Sequence, residues 1–414
     1  MERKKIVVVG GGPAGMMASI RASQLNQDVT LVEKNPILGK KLLLSGKGRC
    51  NLTNICDLET FLSRFSKNGQ FLRDAFKKFF NQELISFFED RGLKLKAERQ
   101  KRVFPVTDKA DSIVKVLKKE LLKRKVTIIY NSSLKDIFMQ DKKVKGALFD
   151  RGKIISCDKL ILATGGISYS FTGSTGETLD IAGRLGHKIS SLRPGLVALE
   201  TRQKYPRDLE GLCLKNIRLN FSDGKRQIIS EIGELLFTDF GISGPLVLTF
   251  SGQIVDWLND GGHVYVQVDL KPALSREQVN GRLLREFKLN YKKSIKNVLK
   301  NLLPIRFATV FLEMAKINPQ KLVNQITLTE RKNLVSLFKA LRFDITKSQP
   351  IDEAMITRGG VCLKDIDPRT MESRLIKGLY FCGEMIDVDA DTGGFNLQAA
   401  FSTGYLAGEG AALN

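Results

Sequence analysis

The chain is poor in the residues that build metal centres, redox-active disulfides and membrane spans. It has only two histidines, His187 and His263, and none of its six cysteines stands in a CxxC pair. The sequence therefore predicts neither a metal site nor a short-spaced redox disulfide. No apolar run approaches the ~18 residues that a membrane span needs, so we expect no membrane association. The basic start at 1–5 lacks a following small-residue cleavage site, and we expect the chain to stay in the cytoplasm.

Acidic residues are scarce relative to basic ones. Lysine and arginine total 66 against 44 aspartates and glutamates, which gives a net charge of +22. The basic residues concentrate in residues 91–125 and 282–306. One interpretation is a surface for nucleic acid. The other is a lysine-rich solvated surface, and it is favoured because no RNA-binding motif with interleaved aromatic residues accompanies the charge.

A nucleotide-binding fingerprint lies near the start of the chain. The apolar run Ile6–Val9 leads into a glycine-rich turn at 10–15, and a second apolar run ends at Glu33. In this pattern the first glycine makes the tight turn, the second lets a pyrophosphate approach and the third allows close helix packing. Helix amides then face the phosphates, and the acid accepts from a ribose hydroxyl. The sequence therefore predicts a dinucleotide site built from Gly10, Gly12, Ala14, Gly15 and Glu33.

The order of the predicted elements indicates an α/β protein with an insertion. Strand and helix signals alternate to about residue 190, including expected helices at 71–91 and 109–123. Short strands follow, then a mostly helical stretch at about 275–340, then a strand near 378 and a helix over 396–412. We predict a Rossmann-like domain split into residues 1–190 and 356–414. A β-rich domain with a helical arm, residues 191–355, is inserted between the two parts.

Three further motifs carry residues suited to an anionic cofactor. The loop 39–54 is dense in small residues, amides and cations, which can wrap an anion. The strand ending at Ala163 turns at Thr164-Gly165-Gly166, where backbone can approach a dinucleotide. The segment 383–398 places a glycine pair before a helix, whose N-terminus would stabilise an anionic reduced ring.

The whole pattern resembles the bacterial aminoacetone oxidase-like and bile-acid-reductase-like NAD(P)/FAD-dependent oxidoreductases. The most specific segments are 45–54, 237–245 and 392–398, although this chain has Lys47 where the family usually has glycine. The resemblance implies non-covalent FAD and an inserted β-barrel-like domain carrying the arm. The cofactor contacts predicted from the fingerprint, the motifs and the resemblance together are Gly10, Gly12, Ala14, Gly15, Glu33, Lys41, Arg49, Cys50, Asn51, Ala163, Thr164, Gly165, Glu384, Asp391, Gly394, Asn396 and Gln398.

The leading hypothesis is an FAD-dependent oxidoreductase that moves an electron pair between a small organic substrate and NAD(P)H or dioxygen. Only one glycine fingerprint is visible, so NAD(P)H is expected as a transient co-substrate without its own domain. The alternatives are an FAD-dependent RNA-binding or tRNA-modifying protein and a non-catalytic flavin scaffold. The oligomeric state is left open.

The catalytic acid or base is left open. The flavin supplies the electron-pair transfer, and the protein supplies orientation and electrostatics. Ser168 and Tyr169 are candidates to line the ring, and residues 238–245 are a candidate segment to close over it. His187 follows a glycine expected to end a helix, so we expect this histidine at the surface.

Overall fold

The computed structural model describes residues 3–414 and divides into two compact units. The outer unit comprises residues 3–195 and 351–414, and the inserted unit comprises residues 196–350. Both boundaries lie a few residues inside the limits expected from the sequence.

The elements of the two units follow one another along the chain. The first part of the outer unit contains β1 (Lys5–Val9), α1 (Pro13–Gln24), β2 (Asp28–Val32), β3 (Thr53–Asn54), α2 (Leu58–Leu62), α3 (Arg73–Lys78), α4 (Asn81–Glu89), β4 (Leu95–Glu98), β5 (Arg102–Pro105), α5 (Ala110–Lys123), β6 (Thr127–Ile129), β7 (Leu134–Gln140), β8 (Lys143–Phe149), β9 (Ile154–Ser156), β10 (Lys159–Leu162), α6 (Glu177–Arg184) and β11 (Ile189–Gly195). The inserted unit contains β12 (Leu199–Thr201), α7 (Tyr205–Asp208), β13 (Cys213–Ser222), β14 (Gln227–Ile229), β15 (Gly233–Phe237), β16 (Gly241–Ser243), α8 (Pro245–Asn259), β17 (Tyr265–Asp269), α9 (Arg276–Leu289), α10 (Ile295–Leu299), α11 (Ile305–Met314), α12 (Leu328–Ala340) and β18 (Leu341–Ser348). The outer unit resumes with β19 (Ile356–Val361), β20 (Leu379–Phe381) and α13 (Phe395–Leu413).

A five-stranded parallel sheet forms the centre of the outer unit. Its order is β20-β10-β1-β2-β6, with Ile6 of β1 in register with Lys159 on one side and Val29 on the other. Chain order reverses at β1, and ligands of such sheets bind where the carboxyl ends diverge. The predicted α/β class is confirmed, and the sheet fixes where a nucleotide would lie.

Helices α1 and α13 pack unusually closely in the outer unit. A Cβ atom added to Gly404 would lie 2.2 Å from the carbonyl oxygen of Ala14, and one added to Gly408 would lie 2.3 Å from that of Ala18. Most of α13 is buried, and its apolar side chains leave it no solvated face. The glycines therefore let two helix backbones touch, and the N-termini of both helices are held in place.

The inserted unit is a closed barrel with a helical arm, as the resemblance implied. Strands β13, β15, β16, β12, β18 and β17 pair in that order, and Arg218–Ser222 of β13 pairs with residues 265–269 to close the ring. β14 pairs outside the ring with β13. Helices α9–α12 share one hydrophobic core with the barrel, in which Phe307, Phe311 and Phe338 are fully buried.

Two helical segments differ from the sequence-based expectation. The helix predicted over 71–91 is broken into α3 and α4, because Phe79 is extended at φ −153° and ψ 95°. In this conformation the Phe79 ring stacks on Tyr405, with 4.5 Å between ring centroids, and its carbonyl accepts a hydrogen bond from Ser402 Oγ. Tertiary contacts thus override a continuous helical pattern. Helix α8 was not predicted, since its start, Pro-Leu-Val-Leu-Thr-Phe, reads equally well as a strand.

Candidate cofactor-binding site

The turn after β1 presents backbone donors without acceptors. Gly12 caps α1 without a side-chain hydrogen bond, and Pro13 has no amide hydrogen. Within residues 3–414, the amides of Gly12, Ala14 and Gly15 have no hydrogen-bond partner. A Cβ atom added to Gly12 would meet nothing within 4 Å. Open amides at a helix N-terminus with space before them suit a phosphate group.

The other two fingerprint glycines are required by packing. A Cβ atom on Gly15 would lie 1.9 Å from the carbonyl oxygen of Gly10, and one on Gly10 would lie 2.4 Å from that of Ala163. Gly10 also has a positive φ of 106°. The first turn is therefore pressed against the end of β10, where Thr164 and Gly165 follow.

Glu33 is held rigidly at the end of β2. It is buried, with 7% of its surface exposed. Its Oε2 accepts from the amide of Gly11 at 2.6 Å, and its Oε1 accepts from the amide and side chain of Asn35 at 2.8 and 2.7 Å. An ionised carboxylate has about four acceptor positions, and these bonds use three. One acceptor position remains for a ribose hydroxyl.

The loop 45–54 meets the N-terminus of α13. With its amide oriented to satisfy both groups, Asn51 accepts from the amide of Gly394 at 3.1 Å and donates to the carbonyl of Thr53. Thr53 Oγ1 donates to Gln398 Oε1 at 2.6 Å. A Cβ atom on Gly394 would lie 2.5 Å from the Thr53 backbone. Two of the motifs predicted from the sequence thus form one continuous wall.

The first turn of α13 is a second uncapped helix start. Gly394 makes no side-chain cap, and within residues 3–414 the amides of Phe395, Asn396 and Leu397 have no partner. The side chain of Asn396 instead holds the preceding segment 389–391. Its Nδ2 donates to the carbonyl oxygen of Ala390 at 2.8 Å, and its Oδ1 accepts from the amide of Ala390 at 3.0 Å. A helix of this length offers positive potential to a ligand at its start.

Asp391 lies in the same segment, and the pKa of its carboxyl group is raised. Burial raises its pKa from 3.8 to about 6, and the charge of Asp389 adds to this, while Arg64 opposes it. The Arg64 pair is loose, at 3.8 Å between Nη1 and Oδ2. The carboxyl group therefore loses its proton at a higher pH than an ordinary aspartate.

Lys41 and Glu384 form a half-buried polar cluster at the end of β20. Lys41 Nζ donates to Glu384 Oε2 at 2.7 Å and to Ser168 Oγ at 2.7 Å. Glu384 also accepts from the amide of Thr357 at 2.7 Å. A Cβ atom on the neighbouring Gly383 would lie 2.8 Å from Ala14 Cβ, so the cluster lies beside the first turn of α1.

Two predicted contacts have other partners in the structure. Arg49 pairs with Glu98 and Asp108, and its guanidinium lies 4.3 Å from the Phe104 ring centroid. Cys50 is fully buried with a positive φ of 61°, and burial raises the pKa of its thiol to about 12. At neutral pH this thiol is protonated and packs as a small apolar group.

The expectation that His187 lies at the surface is wrong. The residue is 3% exposed, its Nε2 lies 2.7 Å from Ser373 Oγ, and its ring contacts Phe381 edge to face. Burial lowers the pKa of the imidazole. The glycine does end the helix, but the chain then turns inward instead of to solvent.

Sequence reasoning missed several polar residues that hold the site together. Asn35, Thr53 and Thr357 each bond a predicted contact residue. The position of Asn35 two residues after Glu33 was a usable signal. Thr357 lies 27 residues before its partner Glu384, and no local sequence signal links the two residues. Tyr169, at φ 50°, holds a backbone conformation that costs a non-glycine residue strain.

No metal or membrane feature joins this site in the part of the chain that the structure describes. Residues 3–414 contain no group of three or more histidine, cysteine, aspartate or glutamate side chains arranged to hold a metal ion. No helix in the same range is long and apolar enough to cross a membrane.

A parallel sheet with an open helix start at its switch point, an acid after the second strand and a second uncapped helix define a Rossmann-type dinucleotide-binding protein. Comparison with known proteins agrees. The chain belongs to the HI0933-like family of FAD-binding oxidoreductases. The family's model, described as HI0933-like protein Rossmann domain, matches residues 4–410. The predicted resemblance, the fold class and the assignment as an oxidoreductase are confirmed.

Named relatives cover almost the whole chain. A 3-dehydro-bile acid delta(4,6)-reductase of Clostridium scindens is 30% identical over 99% of this chain and 99% of its own length. A ribosomal RNA dihydrouridine synthase of Haemophilus influenzae is 30% identical over 96% of each chain. The structure of a 3-ketosteroid delta1-dehydrogenase from Sterolibacterium denitrificans is similar over 100% of both chains, with a TM-score of 0.53 and 13% identity, which supports the fold alone.

Proposed function

We propose that the protein is an FAD-dependent reductase that saturates a carbon–carbon double bond conjugated to a carbonyl group, with NAD(P)H as electron donor. NAD(P)H gives up a hydride equivalent and becomes NAD(P)⁺, one substrate carbon receives the hydride, and the other carbon takes a proton that comes from water. The observation that carries the FAD-binding part of the proposal is the pair of uncapped helix starts, α1 and α13, in one unit. The first suits the pyrophosphate, and the second suits the ring.

The residues present fit FAD. The open amides of α1 would hold the pyrophosphate, Glu33 the ribose, and Ala163, Thr164 and Gly165 the backbone side of the dinucleotide. The wall formed by Asn51, Gly394 and Gln398 lies with Asp391 and Asn396 at the start of α13, where we place the ring. Lys41 and Glu384 would lie beside the chain that joins the two ends. When bound, the flavin supplies two-electron transfer.

The reaction type is inferred from what the two relatives' names have in common. A delta(4,6)-reductase of a 3-dehydro-bile acid reduces ring double bonds conjugated to a ketone. A dihydrouridine synthase adds two hydrogens to a pyrimidine ring. Both are reductions of an activated carbon–carbon double bond. The positive end of α13 would favour negative charge that builds up on the reduced ring, as this direction of transfer requires.

Anaerobic stopped-flow reduction tests the proposal. The purified yellow protein is mixed with NADH or with NADPH, and the flavin absorbance near 450 nm is followed before air is readmitted. We expect bleaching by one nucleotide and slow reoxidation in air. Fast reoxidation would indicate an oxidase that uses dioxygen. No bleaching with either nucleotide contradicts the proposed donor, and a colourless protein that cannot be reconstituted with FAD contradicts the whole proposal.

The substrate is either a small conjugated ketone or uridine in RNA. Although the lack of an RNA-binding motif favours a plain solvated surface for the basic residues, their concentration in the helical arm leads us to propose RNA. Residues 276–340 alone contain fourteen lysines and arginines against four acidic residues. So broad an excess of positive charge is not required to bind a neutral or anionic small molecule, whereas it suits the phosphate backbone of RNA. Mass spectrometry of an in vitro transcribed ribosomal RNA after incubation with NADPH tests this. A mass gain of two hydrogens in uridine supports it, whereas turnover only of a 3-keto-4,6-diene bile acid supports the small-molecule alternative.

A further inference from the structure

Helix α9 turns a row of cations to solvent. Its buried side is formed by Val279, Leu283 and Phe287. Arg282, Arg285 and Lys288 are exposed on the opposite side, spaced three residues apart, so they share one face of the helix. Lys292 is exposed just beyond the end of the helix and continues the row.

These cations have no acidic partners. In the chain from residue 3 to 414, none of Arg282, Arg285, Lys288 and Lys292 takes part in a salt bridge, and Lys321–Glu330 is the one ion pair formed within 276–340. The nearby Glu286 faces the amide of Asn301. The positive charge on this face is therefore not neutralised by the protein.

The row of cations leads to a cleft that holds further positive charge. A cleft of about 390 Å³ is lined by Lys215 and Lys271 together with apolar and amide groups. Burial lowers the pKa of Lys271, and the positive charge of Arg282 lowers it further, so these two cations lie close together. The carboxylate of Asp269, two residues before Lys271, is paired with Lys339 at 2.7 Å. The cations of the cleft are therefore suited to bind an anion.

An aromatic ring stands within the same surface. Tyr291 is 54% exposed, and the ammonium of Lys292 lies 5.5 Å from its ring centroid. The neighbouring Leu289 is 79% exposed. A flat exposed ring among cations is the arrangement by which proteins stack unpaired bases while holding the backbone.

We propose that Lys215, Lys271, Arg282, Arg285, Lys288 and Lys292, with Tyr291, form an RNA-docking surface, called here the arm surface. The cleft takes a backbone phosphate, the α9 row follows the strand, and Tyr291 stacks on a base. The arm surface is thus the place where the reductase proposed above would bind its RNA. This inference rests on the proposed function only for the identity of that RNA.

A charge-removal pair of variants tests the arm surface in the full-length FAD-loaded protein. One variant combines Arg285→Gln, Lys288→Gln and Lys292→Gln. Its control combines Lys118→Gln, Lys119→Gln and Lys123→Gln on the exposed side of α5, which removes the same charge elsewhere. The probe is a fluorescein-labelled in vitro transcribed ribosomal RNA stem-loop, with affinity measured across a salt series. Melting temperatures verify that both variants fold.

The arm variant should bind at least 10-fold more weakly at low salt, and the slope of log affinity against log salt should fall by about 2–3, one unit per lost phosphate contact. The control should lose less than threefold. A further variant, Tyr291→Leu, should weaken binding severalfold and leave the salt slope unchanged.

Three outcomes would overturn the proposal. These are equal losses in both triple variants, no binding of the RNA by the wild-type protein, and binding of phosphatidylglycerol vesicles in place of RNA. Flavin reduction by NADH and by NADPH is measured separately on the wild type. RNA binding without flavin reduction would remove the proposed reductase function and leave the arm surface standing, so the two failures are distinguishable.

Discussion

The two units are suited to hold anions by different means. In the outer unit the donors are backbone amides of Gly12, Ala14 and Gly15, fixed by packing and without formal charge. In the inserted unit they are lysine and arginine side chains on the solvent side of α9. Fixed amides in a partly buried turn are little affected by salt, whereas exposed charges are screened within about 10 Å at ordinary ionic strength. One arrangement suits a resident cofactor, and the other suits a partner that binds and leaves.

Changing one helical glycine in each unit should give the largest difference. Gly15→Ala places a methyl group 1.9 Å from the carbonyl oxygen of Gly10. The turn must move, so we expect loss of bound FAD and a destabilisation of about 3 kcal/mol. The ratio of flavin to protein absorbance and urea unfolding measure the two effects.

The matched change is Gly281→Ala in α9, where the nearest atom to the new methyl group is 3.8 Å away. Here alanine should stabilise the protein by about 0.5–1 kcal/mol, because glycine is a poor residue inside a helix. Retention of FAD by Gly15→Ala would show that the first turn does not carry the cofactor.

Salt should separate the two kinds of anion site. Between about 50 and 200 mM salt, we expect FAD occupancy of the wild-type protein to stay constant, while RNA affinity falls about 100-fold, as expected for four phosphate contacts. Gel filtration at each salt concentration measures retained FAD, and fluorescence anisotropy measures RNA binding. FAD release at high salt would mean that side-chain charge, such as that of Lys41, dominates cofactor binding.

A smaller effect is expected from the carboxyl group of Asp391. Its pKa is raised by burial from 3.8 to about 6 in the folded protein, so the folded state binds more protons than the unfolded state between those values. Stability from this group falls as pH rises from about 4 to 6. Asp391→Asn should therefore stabilise the protein at pH 7 by about 1–2 kcal/mol, a figure reduced for partial exposure, and have little effect at pH 4.

The carboxyl group of Glu120 should give stability the opposite dependence on pH. Burial alone would raise its pKa, but the ion pair with Arg91 and the hydrogen bond from Arg124 Nε hold the pKa below 4.5. Its contribution is present above pH 4.5 and is lost as pH falls. Glu120→Gln should cost about 1–2 kcal/mol at pH 7. Parallel pH profiles for both variants would contradict the contrast between the two carboxyl groups.

Local spacing was enough to predict the fingerprint and the strand, turn, helix and strand that carry it. Gly10 to Gly15 and Glu33 lie within one βαβ unit, where sequence distance and spatial distance agree. The approach of Asn51 to Gly394 joins residues more than 300 positions apart, and no pattern in the sequence indicates it. The pairing of Arg49 with Glu98, and the burial of His187 by Phe381, depend on tertiary contacts that no local pattern encodes.

The glycine contacts between α1 and α13 have a consequence for biosynthesis. Every strand of the inserted barrel has been translated before residue 351, whereas β20 and α13, which complete the outer unit, follow it. During synthesis the insert can close its ring while α1 still exposes the face that Gly404 and Gly408 will cover. We expect the barrel to be protected from proteolysis on stalled ribosomes earlier than the amino-terminal strands, and FAD to be captured only after α13 has emerged.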